Sequence, residues 1–376
     1  MMRNAIIESI KALRENRPLF VDRRNTNRYK VIAAEEDGSK TAYCFAVPVY
    51  TADGRLLDLQ FRRSGMGYRA EGSSCEISIE GDFTMTSRDG TCRITPESAF
   101  RVAYAGKNVL HGNECDVAPT ANGLVLKARC GNGAYRFRLT ADNEFWEAKG
   151  NDKSFSLMRE TFCPAITVSC IGSADESGGI VAPALLESCP EGGGYALSVL
   201  PQSPYAQSVI FEINRYEPKL FQDTTVESKN ADVNNVYGGT AFLGETALFG
   251  EQWLYTRPDF SKLPELAGRL MDGVILHMSR FNNGTDLCAC RVSRRFCSFG
   301  STWNSKIEDA GRFTEARKGK RYQSIDLTDL VVDHRTKRLC QPDGFLVKAT
   351  RRGSGFAAVS TGDSFCAPQI LEIRYR

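Results

Sequence analysis

The sequence lacks the features that mark a membrane-spanning or secreted chain. Its 376 residues contain no run of about 18 apolar side chains, so we expect no membrane span. The first seventeen residues mix charged and apolar side chains, whereas a secretory signal needs an unbroken apolar stretch after a basic start. We therefore expect synthesis in the cytoplasm without a signal peptide.

Net charge and histidine are also scarce. The formal net charge is +3, from 48 basic and 45 acidic residues, which does not indicate a nucleic-acid or membrane-surface partner. The three histidines are His111 in a turn, His277 in an apolar strand and His334 on a short helix. None has a neighbouring thiol or carboxylate that forms a catalytic dyad in the sequence. We expect no catalytic residue, no cofactor and no metal ligand.

Cysteine, in contrast, is abundant, with 13 residues. One interpretation is reduced, buried thiols that behave as small apolar side chains. The other is a protein made in the cytoplasm but finally displayed outside it, on a spore or a virion, where disulfides form. The candidates for disulfides are Cys163, Cys170, Cys288, Cys290 and Cys297. Cys288 and Cys290 face the same side of a strand, but with Cys297 they lack the fourth ligand of a structural zinc site.

The N-terminus predicts an amphipathic helix. Ile6, Ile7, Ile10 and Leu13 recur at helical spacing between residues 2 and 16, and the helix should end before Pro18. Two interpretations remain open. The helix is either a lid on the sheet edge of its own domain or an arm that binds a neighbouring subunit in an assembly.

Residues 18–216 show short alternating strands separated by turns such as Asp53-Gly54, which should join a strand at 43–49 to one at 57–61. No segment of helical periodicity interrupts them. The pattern predicts an all-β fold with one antiparallel β-sandwich, or two small fused ones. The sequence at 216–219 marks the boundary to a second domain.

Residues 219–376 contain a series of segments that together resemble a known module. Strand alternation at Ile325 and Leu327 leads into a short helix, for which Thr328 is the expected N-cap. The segments, in chain order, are Gln222–Val226, Asn234–Gly239, Ala241–Gly244, Trp253–Tyr255, Phe260–Pro264, Gly273–Met278, Ser301–Asn304 and Asp326–Val331. This order is similar to that of a DNRLRE domain. The chain departs from the family at Pro258, where the strand must stop or lie at an edge.

The resemblance implies an antiparallel, jelly-roll-like sandwich similar to the TGF-beta propeptide. Members of the family occur in large surface and wall-associated proteins, where they are structural or adhesive modules. The family brings no catalytic set that could be transferred to this chain. No family is identified for residues 1–218.

These observations predict a non-enzymatic structural protein that self-assembles into, or decorates, a spore coat, an appendage or a virion. Its partners would be copies of itself or other surface proteins, and a cytoplasmic location is the alternative. A second hypothesis is a glycan-binding adhesin that stacks sugars on an exposed Trp or Tyr. A third is a hydrolase of a cell-surface polymer, which would need a pocket holding a histidine near a carboxylate or thiol.

Overall fold

The structure is a computed structural model that describes residues 5–15, 17–22, 27–130, 133–142, 147–353 and 355–376. Met2, Asn132 and Trp146, which contributed to the predicted helix, a turn and the aromatic count, lie outside these residues. The chain is almost entirely β-structure with one N-terminal helix, which confirms the predicted all-β class.

The elements of the N-terminal half begin with the helix α1 (Ala5–Leu13). Its strands are β1 (Phe20–Val21), β2 (Lys30–Ala34), β3 (Lys40–Phe45), β4 (Arg62–Ser64), β5 (Gly67–Glu71), β6 (Glu76–Glu80), β7 (Asp82–Ser87), β8 (Gly90–Pro96), β9 (Val102–Ala105), β10 (Leu110–Gly112), β11 (Cys115–Pro119), β12 (Gly123–Arg129), β13 (Tyr135–Ala141), β14 (Glu147–Gly150), β15 (Ser154–Glu160), β16 (Cys163–Ala174), β17 (Ile180–Ala182), β18 (Ala184–Glu191), β19 (Gly194–Pro201) and β20 (Ser208–Arg215).

The C-terminal part contains a short helix, α2 (Thr328–Val331), and two 3-10 turns, Phe260–Lys262 and Pro264–Leu266. Its strands are β21 (Phe221–Glu227), β22 (Thr240–Thr246), β23 (Gly250–Pro258), β24 (Met271–Ser279), β25 (Leu287–Val292), β26 (Asp309–Glu315), β27 (Arg317–Lys318), β28 (Tyr322–Asp326), β29 (Phe345–Ala349), β30 (Phe356–Ser360) and β31 (Ile370–Tyr375).

The chain divides into two compact units. The jelly-roll unit comprises Met1–Tyr50, Pro218–Val236 and Thr240–Arg376, and the inserted unit comprises Thr51–Glu217 with Tyr237–Gly239. The predicted division placed residues 18–50 with the first sandwich instead. They join the C-terminal part because β3 pairs with β31 along its whole length, from Lys40 opposite Tyr375 to Phe45 opposite Ile370.

Eight strands give the jelly-roll unit its topology. In chain order they are β3, β23, β24, β25, β26, β28, β29 and β31. Numbered 1 to 8, they lie in one sheet in the order 1-8-3-6 and in the other in the order 2-7-4-5. This is the strand order of a jelly roll. β1, β2 and β27 extend the first sheet, and β21, β22 and β30 extend the second.

The facing sides of these two sheets form the core of the jelly-roll unit. Ile32, Leu276 and Leu371 of the first sheet and Leu254 and Val347 of the second belong to one fully buried apolar cluster. Alternate residues along each strand point inward, as a sandwich requires. β23 ends at Pro258, as the proline predicts, because proline cannot donate to the ladder.

The inserted unit is a second antiparallel sandwich. Its sheets run β14-β15-β16-β20-β12-β11-β10-β9, with β17 beside β16, and β18-β19-β13-β8-β7-β6-β5-β4. One apolar cluster fills the space between them. Within it Phe137 stacks on Phe211 with ring centroids 5.4 Å apart. Of the two predicted alternatives, one sandwich or two small fused ones, the structure of the inserted unit shows one.

Three local predictions were wrong: the strand at 57–61, the N-cap at Thr328 and the position of His334 on the short helix. Asp53-Gly54 does form a turn, but residues 57–61 are not a strand, because the chain passes from the jelly-roll unit to the inserted unit at Thr51. Thr328 is the first residue of α2 and not its N-cap. Its hydroxyl instead accepts a hydrogen bond from the backbone N–H of Val274, 3.0 Å away. His334 lies in the turn after α2.

A buried acidic pair joins β21, β23 and the loop after β30. Asp223 accepts hydrogen bonds from the hydroxyl of Thr256, at 2.7 Å, and from the backbone N–H of Gly362. Asp363 accepts one from the ammonium of Lys219. Burial, reinforced by the charge of Asp363, raises the pKa of Asp223 to about 7. The Asp223 carboxyl is therefore costly to ionise in the folded protein.

We expect Asp223→Asn to remove a pH dependence of stability. The pKa of Asp223 is about 7 in the folded protein, compared with 3.8 for an unperturbed aspartate. Between these two pH values the folded state therefore binds one proton more than the unfolded state. The stability that this proton contributes is complete below 3.8 and is lost as pH rises through 7, at up to about 1.4 kcal/mol per pH unit. Urea unfolding between about pH 5 and pH 7 measures the effect.

Asp286→Asn is the matched control, because this carboxylate is largely exposed. The control should keep the wild-type slope over this pH range, whereas the slope of Asp223→Asn should be shallower. A constant free-energy difference between wild type and Asp223→Asn across the range would contradict the prediction.

Candidate functional site

The outer face of the first jelly-roll sheet carries a buried polar network centred on His277. The imidazole Nδ1 lies 2.8 Å from the Ser324 hydroxyl, and Nε2 lies 3.1 Å from Oε2 of Glu372. Arg374 donates to the other oxygen of Glu372, from Nε at 2.8 Å and Nη2 at 2.7 Å. His277 is 5% exposed and Glu372 is 2% exposed.

Strand pairing explains why these side chains meet. His277 on β24 lies directly opposite Ser324 on β28, and Glu372 on β31 is two positions diagonal to it. Residues opposite each other on neighbouring strands project to the same face. The inward neighbours Leu276, Ile325 and Leu371 enter the core, so the alternate positions form the polar network on the other face.

The chemistry of the partners fixes the histidine tautomer. Burial alone would raise the pKa of Glu372, but the hydrogen bond and charge of His277 and the charge of Arg374 hold that pKa below its usual value. An ionised carboxylate only accepts hydrogen bonds. In neutral His277 the proton therefore lies on Nε2, and Nδ1 accepts a hydrogen bond from Ser324.

Helix α1 lies over this same face. Arg14, which follows the helix, is 2% exposed and donates to both oxygens of Glu35, at 2.6 and 2.9 Å, and to the hydroxyl of Tyr43 at 3.4 Å. Tyr322 on β28 bonds to Ser9 of the helix. The charged hydrogen bond from Arg14 lowers the pKa of Glu35. The helix thus spans from β28 to the hairpin of β2 and β3.

The predicted helix is confirmed over Ala5–Leu13, and the described residues Arg14 and Glu15 follow it as a turn. Ile6 and Ile10 are buried, and Ile7 and Leu13 are half-buried. The helix covers the face of its own domain's sheet, which agrees with a lid and differs from the predicted position at a sheet edge. The apolar side of the helix therefore packs against its own jelly-roll unit.

The Ser324–His277–Glu372 chain has the partner types of a serine hydrolase, with the two ring nitrogens exchanged. Such a reaction also needs backbone N–H groups aimed at a developing oxyanion. The strands around His277 are paired on both sides, and their N–H groups belong to the ladders. The arrangement therefore fits a structural network that anchors three strands beneath α1.

The other two histidines lie elsewhere. His111, predicted in a turn, lies on strand β10 and is half-buried, with Nδ1 3.2 Å from Asp116 and its ring stacked on Tyr104 at 5.7 Å. His334 lies in the turn after α2. The sequence analysis missed the His277–Glu372 pair because 95 positions separate the two residues. The available signal was a polar residue within each of two apolar runs, at His277 in 274–278 and at Glu372 in 370–373.

All thirteen cysteines are described, and no disulfide joins any two of them. Cys163 and Cys170, proposed as a bridge, lie seven positions apart on β16. That spacing is about 23 Å along a strand, whereas bridged Cα atoms are at most about 7 Å apart. Cys288 and Cys290 are buried on β25, and Cys297 is exposed beyond it.

Burial makes most of these thiols unreactive. It raises the pKa of Cys170 to about 12 and that of Cys290 to about 11. The thiolate is the reactive species, so these thiols behave as small apolar side chains. The exposed cysteines are Cys189, Cys297 and Cys340. Across the described residues, His, Cys, Asp and Glu form no group of three that could hold a metal ion.

Comparisons with known proteins leave the family open. No model of a known protein family matches the chain, and no curated protein matches it. The resemblance of residues 219–376 to a DNRLRE domain therefore stays a prediction. Among the helices that the structure describes, none has the length and apolar character needed to cross a membrane.

We expect Glu372→Ala to destabilise the protein by about 1–3 kcal/mol, because it leaves the buried N–H of His277 without its acceptor, whereas the exposed Arg374 can turn to solvent. Ser324→Ala should cost about 1 kcal/mol, the value of one ordinary hydrogen bond. Urea denaturation measures both. Asp286→Ala, which breaks an exposed ion pair with Lys318, serves as control and should change stability by less than about 0.5 kcal/mol.

A cost for Glu372→Ala no greater than that of the control would show that the network is not structural. Labelling of Ser324 by a fluorophosphonate would instead support the hydrolase hypothesis.

We expect a soluble aromatic disulfide reagent to label the three exposed thiols of the native protein rapidly. The triple substitution of these cysteines by serine should abolish the fast phase and leave only slow labelling of the half-buried Cys163 and Cys366, because the other thiols are buried and protonated. Unfolding in guanidinium should expose all thirteen. Rapid labelling of Cys170 or Cys290 in the native protein, located by mass spectrometry, would be inconsistent with this burial.

Proposed function

We propose that the protein is a non-enzymatic structural protein that self-assembles into, or decorates, a proteinaceous surface such as a spore coat, an appendage or a virion. The supporting observation is the placement of exposed aromatic side chains on terminal strands. Phe20 on β1 is 60% exposed, Tyr104 on β9 is 66% exposed and Phe313 on β26 is 40% exposed. These strands end three of the four sheets.

The opposite ends of the same sheets provide an internal contrast. β27 at the other end of the first jelly-roll sheet carries Arg317 and Lys318, and β14, opposite β9, carries Glu147 and Lys149. Charged edge residues prevent one sheet from adding to another. β1 and β9 carry no charged residue, whereas β26 combines Phe313 with the exposed Arg312 and Glu315, and β30 at the other end of its sheet carries no charge. An edge with unpaired backbone groups and an exposed ring favours strand addition by another chain.

The fourth sheet is protected at both ends. It ends on β4, with the exposed Arg62 and Arg63, and on β18, whose exposed half contains Glu187, Pro190 and Glu191. Proline and carboxylates are common devices for blocking an edge. Charged or proline-protected edges are thus present in the chain, whereas β1 and β9 have an exposed aromatic residue and no charge.

The fold and the resemblance support the same proposal. Jelly rolls occur in viral capsid and lectin domains, although a fold alone does not define a function. The predicted DNRLRE relationship would add a family of surface modules. We propose that the partners are further copies of this chain and that the assembled protein lies on a spore, an appendage or a virion.

The two tryptophans that the structure describes, Trp253 and Trp303, do not offer an open ring face for the sugar stacking that the glycan-binding alternative predicts. Trp253 is 7% exposed, and its indole N–H donates to Glu251 at 3.0 Å. Lys306 and Lys348 lie over its ring at 5.8 and 5.1 Å. Trp303 is half-buried against it, with Lys306 4.7 Å from its ring centre. Lysine side chains thus occupy positions over the rings where a sugar would stack.

We expect the wild-type protein to form larger species as its concentration rises, and the triple variant Phe20→Lys, Tyr104→Lys and Phe313→Lys to remain monomeric. A lysine at each edge adds charge repulsion and removes apolar contact area. Sedimentation velocity over a concentration series, with negative-stain imaging of the largest species, measures the difference.

Tyr205→Lys is the matched control, because Tyr205 is 77% exposed but lies between β19 and β20 rather than on an edge strand. This variant should assemble as the wild type does. A wild-type protein that is monomeric at every concentration, or a triple variant that assembles equally well, would refute the proposal.

A further inference from the structure

The inserted unit contains a groove of about 550 Å³. One wall is the segment from Thr51 to Gln60. The other is the outer face of β5 to β7, where Arg69, Glu71, Glu76 and Thr86 alternate with residues of the core. The volume is within the range of about 300–1,000 Å³ that small-molecule sites occupy.

The charges in the groove are interleaved and largely paired. Arg55 donates to Asp53 and to Glu71, both at 2.7 Å. Arg69 pairs with Glu76 at 3.3 Å, and Arg62 with Asp58 at 2.9 Å. Three guanidinium groups thus face four carboxylates. Neither an anion nor a cation would meet a large uncompensated charge, which favours an uncharged ligand.

The paired groups still have hydrogen-bonding capacity. A guanidinium has five N–H donors and a carboxylate has about four acceptor positions, and each ion pair in the groove uses only one or two of them. A ligand that offers both donors and acceptors at short spacing can bind alongside the existing pairs. Vicinal hydroxyl groups have this property, because every hydroxyl donates one hydrogen bond and accepts two.

Gln60 provides a second, independent indication of a ligand. It lines the groove and is only 9% exposed, and its side-chain Nε2 has no hydrogen-bond partner among the described residues. A buried amide left unpaired costs about 1–3 kcal/mol, so such a group in a folded protein calls for an explanation. The nitrogen itself is closed to solvent, so a rotation of the amide that turns it toward the groove would have to accompany a ligand hydroxyl that accepts from it.

The wall of strands favours recognition by side chains. β5 is paired with β4 and β6, and β6 with β5 and β7. The backbone groups of these strands are therefore engaged in the sheet, and a peptide could not be added as a further strand. Hydroxyl groups of a sugar need only the side-chain donors and acceptors that the groove presents.

We propose that this groove binds a neutral oligosaccharide. The paired arginines and carboxylates hold its hydroxyl groups, and Gln60 donates to one of them. The inference does not depend on self-assembly: a protein that remains monomeric can bind the sugar, and one that assembles can fail to bind it.

The test is calorimetric titration of the protein with uncharged hexasaccharides of glucose (α- and β-linked), xylose, mannose and N-acetylglucosamine. We expect at least one to bind and Arg69→Met and Gln60→Met each to weaken it about tenfold or more, the effect of one or two lost hydrogen bonds in a binding site. Arg159→Met is the matched control. It breaks a comparable exposed pair with Asp89, at 3.0 Å, in the same unit but outside the groove.

Thermal unfolding and circular dichroism establish that each variant is folded. The proposal is overturned if none of these sugars binds at millimolar concentration, or if both groove variants bind as tightly as Arg159→Met. It is also overturned if polygalacturonate or an extended neutral peptide binds in the groove and the uncharged sugars do not.

Discussion

The pairing of β3 with β31 is the contact on which the jelly-roll unit depends. These strands lie near opposite ends of the chain, at Lys40–Phe45 and Ile370–Tyr375, and together they occupy the middle of the first sheet. Their inward side chains, including Ala42, Cys44 and Leu371, contribute to the core. On the outer face Tyr43 lies opposite Glu372. The same strand pairing therefore positions both Glu372, which accepts the hydrogen bond of His277, and the Tyr43 hydroxyl that Arg14 contacts.

The sequence predicted the parts of the fold that depend on local pattern. Alternation along the strands, turns at Asp-Gly and Asn-Gly pairs, and the helical spacing of Ile6 and Ile10 each follow from short stretches of chain. The transition near residue 217 was also visible as a change in pattern. The break at Thr51 was not, because β2 and β3 look like any other hairpin. Only their distant partner, β31, assigns them to the jelly-roll unit.

The same limit applies to the sites. His277 and Glu372 each appeared as one polar residue in an apolar strand, and only the register of three strands joins them. Gln60 was missed for a different reason. Its burial is a property of the segment from Thr51 to Gln60 lying against β5 to β7, in a region where the sequence predicted a regular strand. Conversely, Cys163 and Cys170 were close enough in sequence to suggest a bridge, and the extended geometry of one strand separates them.

The position of the inserted unit has a consequence for how the chain folds during synthesis. The first strand of the jelly roll leaves the ribosome early and must wait for the last one, more than 300 residues later, before its sheet is complete. The residues Thr51–Glu217 are contiguous and form nearly all of the other sandwich, so they can fold in the interval. A folded insertion shortens the effective loop between β3 and β23 and so reduces the entropy cost of bringing them into one sandwich. The inserted unit would then act as an internal folding aid. Point substitutions in its core would slow the folding of the jelly-roll unit, although they lie outside that unit.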